Sequence, residues 1–153
     1  MAELYSITGL FVEDFPGISP WGGHFIRGID KNSIAIEGLL SDIWGMSRIA
    51  GIMDKDRLKF RKEYDATNRN QSFNYDFVLK EGIWQGRYTS TQTDYHGDSV
   101  CKTALCLNKL DFRNVDLRTP EGFSKAIVES MVQTGKLEQF TDPDTSEIMV
   151  KPK

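Results

Sequence analysis

Little in this chain is in excess, and each shortage removes a class of function. Lys and Arg together number 19 against 22 Asp and Glu, a net charge of −3. That leaves no positive field for broad nucleic-acid binding, which must offset phosphate charge. The apolar runs are all too short to cross a bilayer as a helix. The start, MAELYSITGL, has an early Glu3 and no basic stretch ahead of an apolar one, so no signal peptide is expected and the cytoplasm is the default location. Only two cysteines occur, Cys101 and Cys106. In one strand, five residues apart, they point to opposite faces and lie roughly 16 Å apart along it, beyond disulfide reach. They should be free thiols, Cys101 buried and inert. His24 and His96 are the only histidines, and no His or Cys spacing suggests a zinc site. Gly-x-Ser-x-Gly, phosphate-loop, dinucleotide and paired-cysteine patterns are absent as well. No metal and no cofactor is expected.

What the chain does have is alternation. Leu58, Phe60, Lys62 and Tyr64 alternate with Arg57, Lys59, Arg61 and Glu63, the period-2 pattern of a half-buried strand. Phe73, Tyr75, Phe77 and Leu79 repeat it, and so do Trp84, Gly86 and Tyr88. If Glu81-Gly82 is a two-residue turn, Leu79 faces Trp84, Phe77 faces Gly86, Tyr75 faces Tyr88 and Asp76 faces Arg87. A hairpin centred between Thr67 and Asn68 sets Phe60 opposite Tyr75 and Lys59 opposite Asp76. Aromatic and charged faces then agree across three strands, and a slip of one residue would destroy both patterns. Lys55, Arg57, Lys59 and Arg61 read as a solvated outer face or, alternatively, as an anion-facing stripe.

Eight strands are predicted, at 4–12, 23–29, 33–40, 43–53, 57–64, 72–79, 83–91 and 99–110. The third, fourth and seventh carry glycines such as Gly38, Gly51 and Gly86 where a sheet must bend, which favours a closed barrel. In up-and-down order, the long loops 13–22, 65–71 and 92–98 share one end with a tight turn near Ser41-Asp42. The opposite end has short turns at 30–32, 54–56 and 80–82. The long-loop end is the expected mouth. Thr119-Pro120-Glu121 has the form of a helix start, and Gly135 is placed as its stop. The predicted fold is therefore all-β: a single domain over 1–153, with an antiparallel up-and-down barrel of about eight strands (about 4–110), one C-terminal α-helix (about 120–134) packed outside it, and a tail over 137–153. Residues 43–53 are apolar on both faces, so their outer face is expected to be covered by that helix or by a partner subunit.

Ile7-Thr8-Gly9, Ile36-Glu37-Gly38 and the run Trp84-Gln85-Gly86-Arg87-Tyr88-Thr89-Ser90 resemble the avidin and lipocalin type of up-and-down barrel. The resemblance extends over about 4–110 and implies a ligand-binding architecture. The lipocalin Gly-x-Trp near the first strand is missing, and the resemblance carries over no ligand and no functional residue.

Tyr75, Tyr88, Phe60, Phe77 and Trp84 are expected to line the interior, with Lys62, Tyr64 and Phe73 nearer the mouth. Inward tyrosine hydroxyls need partners, water or a ligand. Lys62 either reaches solvent at the rim or offers a cation to an anionic ligand. Trp21, His24, Tyr95 and His96 are candidates carried by mouth loops. The leading function is binding of a small apolar or aromatic molecule, an anionic one included, with no nucleic-acid or membrane partner and a homo-oligomer left open. One alternative is a cofactor-free isomerase, cyclase or hydrolase using His24, His96 or Asp94 at the mouth. Another is an interaction or structural module whose barrel is filled by its own side chains.

Overall fold

The computed structural model describes residues 2–14, 17–28, 34–64, 71–110, 119–133 and 135–153. They form two compact units, Met1–Asn108 and Lys109–Lys153. The expected turn at 30–32 and most of the loop at 65–71 lie outside the described residues.

The first unit is a closed barrel of eight antiparallel strands in up-and-down order. They are β1 (Ala2–Val12), β2 (Ile18–Arg27), β3 (Ala35–Asp42), β4 (Gly45–Met53), β5 (Arg57–Tyr64), β6 (Ser72–Lys80), β7 (Ile83–Ser90) and β8 (His96–Leu110). All the pairings expected from the alternation occur: Phe60 with Tyr75, Lys59 with Asp76, Leu79 with Trp84, Phe77 with Gly86, Tyr75 with Tyr88 and Asp76 with Arg87. The Glu81-Gly82 turn has φ of 52° and 80°, positive at both central residues as a type I′ hairpin requires. On the outer face Asp76 pairs with Arg57 at 2.9 Å and Lys59 at 3.6 Å, and Arg61 pairs with Glu63 at 2.8 Å. The basic stripe is thus a solvated face laced with ion pairs. Each such pair contributes well under the roughly 1.5–3 kcal/mol of burying one Phe, so the inner face dominates.

Three strands begin earlier than expected, β1, β2 and β8, and the shifts of β2 and β8 matter to the site. β2 starts at Ile18 although Gly17, Pro20, Gly22 and Gly23 read as a loop. Pro20 pairs only with Leu10 of β1, and the β3 pairing begins one residue later at Trp21, so the missing N–H is not needed there. Trp21 consequently belongs to the core and not to a mouth loop. β8 starts at His96, with Gly97 opposite Tyr88. A methyl group at Gly97 would collide with the Tyr88 phenol, so this glycine admits a ring and does not end the strand. Alternation from the expected buried Cys101 would turn Thr103, Leu105 and Leu107 inward as well; Cys101 is buried, Leu105 is 48% exposed, and Leu107 lies outside the described side chains. Both cysteines are free thiols.

Below the mouth the barrel is packed solid. Phe60 stacks on Tyr75 at 4.9 Å between centroids, Tyr75 on Tyr88 at 5.6 Å, and Trp21 lies about as close to Phe60, Tyr75 and Phe77, at 6.0–6.3 Å. Far from the mouth, Arg27 Nε donates to the Met53 carbonyl at 2.8 Å and pairs with Glu3, while Tyr5 stacks on Phe25. Side chains add to the closure between β8 and β1: Trp21 Nε1 donates to Ser99 Oγ at 3.3 Å, Ser99 Oγ donates to the Leu10 carbonyl at 2.8 Å, and the Tyr88 hydroxyl donates to the Val12 carbonyl. On the outer face of β4, Met46 is 41% exposed, Ala50 is exposed and Ile52 is half-buried.

The second unit contains α1 (Pro120–Gln133) and a hairpin of β9 (Leu137–Thr141) with β10 (Ile148–Pro152). Thr119 Oγ1 caps the helix by accepting from the Gly122 N–H at 3.0 Å. Gly135, at φ 77°, ends it, and the Lys136 N–H returns to the Met131 carbonyl at 2.9 Å. The helix packs against β9. The expectation of this helix as the outer layer of the barrel is therefore corrected: the residues after 137 supply two strands, and the helix packs against the first of them within its own compact unit. The cause is the Asp142-Pro143-Asp144 turn, where Asp142 accepts from the Asp144 N–H at 2.8 Å and folds the tail back on itself.

Gly86 tests the packing. A methyl there would strike the Asp76 carbonyl oxygen and the Phe77 backbone, whereas at Gly82 it would meet nothing within 4 Å. Gly86→Ala is expected to cost about 2–4 kcal/mol, and Gly82→Ala, strained only by its φ of 80°, about 1 kcal/mol. Urea denaturation of the two variants checks the order; equal costs would mean that the barrel relaxes freely around Gly86.

Candidate functional site

Packing stops at the loop end. There a cavity of about 560 Å³ lies among the ends of β1, β5, β6 and β7, the β3–β4 turn and the β7–β8 loop. Six aromatic rings form its wall: Phe11, Trp44, Tyr64, Phe73, Tyr75 and Tyr95. Gln71, Ser90, Gln92 and Thr93 add polar edges, and Glu13 is the one ionised group among the described lining residues. Period 2 explains the set. Phe11 and Glu13 continue the inward phase of Ile7, and Tyr64, Phe73 and Tyr75 are the inward residues at the mouth ends of β5 and β6.

Beneath the wall lies an ionic floor. The Lys62 ammonium pairs with Asp42 Oδ2, with both side chains no more than 1% exposed. The Tyr64 hydroxyl donates to the same oxygen at 2.6 Å, and Asp42 Oδ1 accepts from the Trp44 N–H at 2.8 Å. The ammonium also sits over the rings of Tyr64 at 4.6 Å, Phe11 at 5.4 Å and Tyr75 at 5.5 Å. Burial lowers the pKa of Lys62, and the attraction of Asp42 opposes that shift. A buried pair of this kind must be fully hydrogen-bonded to be tolerated, and among the described residues no buried side-chain nitrogen or oxygen lacks a partner.

Glu13 organises the rim. One oxygen accepts from Trp44 Nε1 at 2.6 Å and the other from Ser19 Oγ at 3.1 Å, which ties the β3–β4 turn to the β1–β2 loop. Trp44 remains 48% exposed. Tyr75 is buried, and its hydroxyl has no hydrogen-bond partner among the described residues. Since no fully buried polar atom is unpaired, that hydroxyl touches the cavity its ring lines. Burial, with Asp42 nearby, raises its pKa well above the ordinary tyrosine value.

The residues expected to bind a ligand divide into three groups. Tyr64, Phe73, Tyr75 and Tyr95 line the cavity, and Lys62 lies just behind it. Phe60, Phe77, Trp84, Tyr88 and Trp21 are buried core outside the cavity wall; the Tyr88 hydroxyl is spent on Val12, and Trp84 Nε1 on Thr103 Oγ1 at 3.1 Å. His24 is half-buried on β2 opposite Leu39, on the face away from Trp21 and Phe25. His96 is exposed and its Nδ1 lies 2.8 Å from the Asp94 carbonyl oxygen. Neither histidine nor Asp94 lines the cavity. Among the described residues no three His, Cys, Asp or Glu side chains gather as metal ligands, and no helix is long and apolar enough to cross a membrane.

The residues missed from sequence are Phe11, Glu13, Asp42 and Trp44, with the polar edge of Gln71, Ser90, Gln92 and Thr93. A signal was present: extending the inward phase of Ile36, Gly38 and Leu40 by one step reaches Asp42, and extending that of Ile7, Gly9 and Phe11 reaches Glu13. No family model, no curated protein and no solved structure matches this chain.

Removing the cation alone from the floor should be costly. Lys62→Met is expected to destabilise the barrel by about 3 kcal/mol, because Asp42 stays buried without its counter-charge, and adding Asp42→Leu should recover most of that loss. Chemical denaturation of the single and double variants measures it; a single variant as stable as wild type would show that Asp42 does not need the ammonium. The pH dependence has a definite sign. Burial raises the pKa of Tyr64 and Tyr75 in the folded chain, so their contribution is complete below the unfolded value near pH 10 and is lost as pH rises above it, by up to about 1.4 kcal/mol per pH unit for Tyr75. Lys62 has the opposite sign: its lowered pKa makes stability rise with pH up to its unfolded value near 10.5. Tyr5, Tyr88 and Cys101 are also raised by burial, so four tyrosines and one thiol against one lysine predict a net fall that begins near pH 9 and steepens above about pH 10, which Tyr75→Phe should make shallower in denaturation curves taken across that range.

Proposed function

We propose that the barrel binds a small, compact molecule with an apolar or aromatic body at its mouth. One observation carries this reading: at the mouth, beyond the stacked rings of the core, six aromatic side chains surround about 560 Å³. A cavity of that size, apolar with a few converging polar groups, is the usual form of a small-ligand site. The Tyr75 hydroxyl, with no hydrogen-bond partner among the described residues, provides a polar contact that fixes orientation. An anionic ligand is disfavoured, because Lys62, the cation it would need, is committed to Asp42. An enzymatic role gains nothing from the geometry, since His24, His96 and Asp94 lie outside the cavity wall. The two free thiols suit a reducing compartment, and the cytoplasm remains the proposed location.

Phenylnaphthylamine, a neutral fluorophore that brightens in apolar surroundings, tests the reading. It should bind wild type at micromolar concentration and raise the melting temperature. Gln71→Trp places an indole at an exposed position of the rim, so it should abolish the signal while leaving stability within about 0.5 kcal/mol. Binding that survives this plug, or no binding by wild type at all, would remove the mouth as a ligand site.

A further inference from the structure

Resting on the reading of the mouth as a ligand site, we infer that its ligand carries a positive charge, an ammonium or a cationic ring, on its apolar body. Three features of the cavity lead there. First, the charges do not balance. Lys62 pairs with Asp42 and also feels the charge of Glu13, so one cation faces two carboxylates, and Glu13 is the one charged side chain among the described lining residues. Both described hydrogen-bond donors to Glu13, Trp44 Nε1 and Ser19 Oγ, are neutral, so its negative charge stays at a half-buried rim position beside the aromatic wall, where it acts more strongly than in bulk water.

Second, the wall itself favours a cation. The face of an aromatic ring is negative, and a cation held within about 6 Å of several faces is attracted by each. The same rings already show this ability, since Phe11, Tyr64 and Tyr75 hold the Lys62 ammonium from below at 4.6–5.5 Å. Third, the buried Tyr75 hydroxyl reaches the cavity with no partner among the described residues, and it can present its oxygen to an N–H of the ligand. An anion would meet Glu13 and the ring faces, both repulsive. A neutral molecule would leave the Glu13 charge unanswered.

The test uses displacement of phenylnaphthylamine by three probes of nearly equal shape: phenyltrimethylammonium, its neutral isostere tert-butylbenzene, and benzenesulfonate. The cation should displace the fluorophore at about tenfold lower concentration than the neutral isostere, and benzenesulfonate should be weakest. Glu13→Gln keeps the side-chain shape and an acceptor for Trp44, and it should remove most of the preference; Glu13→Asp, which keeps the charge, should retain it. Should Glu13→Gln fail to fold, the salt dependence in wild type decides, since affinity for the cation alone should fall several-fold as salt rises. A fluorophore that binds but yields equally well to the neutral isostere, or better to the sulfonate, overturns the cationic ligand and leaves the mouth as a binding site. A fluorophore that never binds overturns both.

Discussion

Inside eight strands there is room for little more than the side chains those strands carry, and where the largest of them lie decides what space is left. In this barrel the large inward rings sit opposite glycines. Phe25 faces Gly38, Phe60 faces Gly51 and Phe77 faces Gly86, and at each of these glycines a methyl group would collide with the neighbouring strand. The glycine lets strands approach closely and bend, and the ring fills the volume that the missing side chain leaves. Trp21 opposite Gly9 and Tyr88 opposite Gly97 repeat the arrangement near the seam. Toward the mouth the pattern ends: Phe73 pairs with Ser90 and Lys62 with Phe73, with no glycine to draw the strands together. The cavity is the part of the barrel that ring-on-glycine packing does not reach.

The ionic floor divides filled from hollow. An apolar residue at position 62 would extend the core upward, whereas a lysine needs a counter-ion and a dry, fully bonded site. Asp42 meets that need because β3 runs two residues past Leu40 before its turn, and Tyr64 and the Trp44 N–H supply the remaining bonds. Such a pair adds little net stability over a well-packed apolar one. What it adds is position. It fixes Tyr64 in the cavity wall, with the Trp44 backbone bound to Asp42 and the Trp44 indole to Glu13. One buried carboxylate and one at the rim thus hold both ends of the β3–β4 turn.

How much of this was legible in the sequence follows from what carries each feature. The meander from Arg57 to Ser90 was readable to the residue, because aromatic and charged faces constrain the register independently. The mouth was readable from loop lengths. The boundaries of β2 and β8 were not: Pro20, Gly22, Gly23 and Gly97 are turn signals locally, and they become strand residues only through neighbours distant in sequence, Leu10 for the proline and Tyr88 for Gly97. That error put Trp21 in the mouth and hid Glu13 and Asp42, whose inward phase was nonetheless legible. The helix was found from its caps, but cap signals say nothing of what a helix packs against, and the tail's own hairpin formed the second unit with it.

Lys62 shows why residue identity and residue role separate. By sequence it is a cation near an aromatic mouth, and the simplest partner for it is an anionic ligand. Its actual partner lies 20 positions earlier, at the end of β3, and burial of both charges makes their mutual attraction far stronger than anything a solvated ligand could offer in exchange. With that cation paired from within, Glu13 is the one charged side chain among the described residues of the cavity wall. The same lysine that first pointed to an anion takes no part in that wall, and this is why we infer the opposite kind of guest.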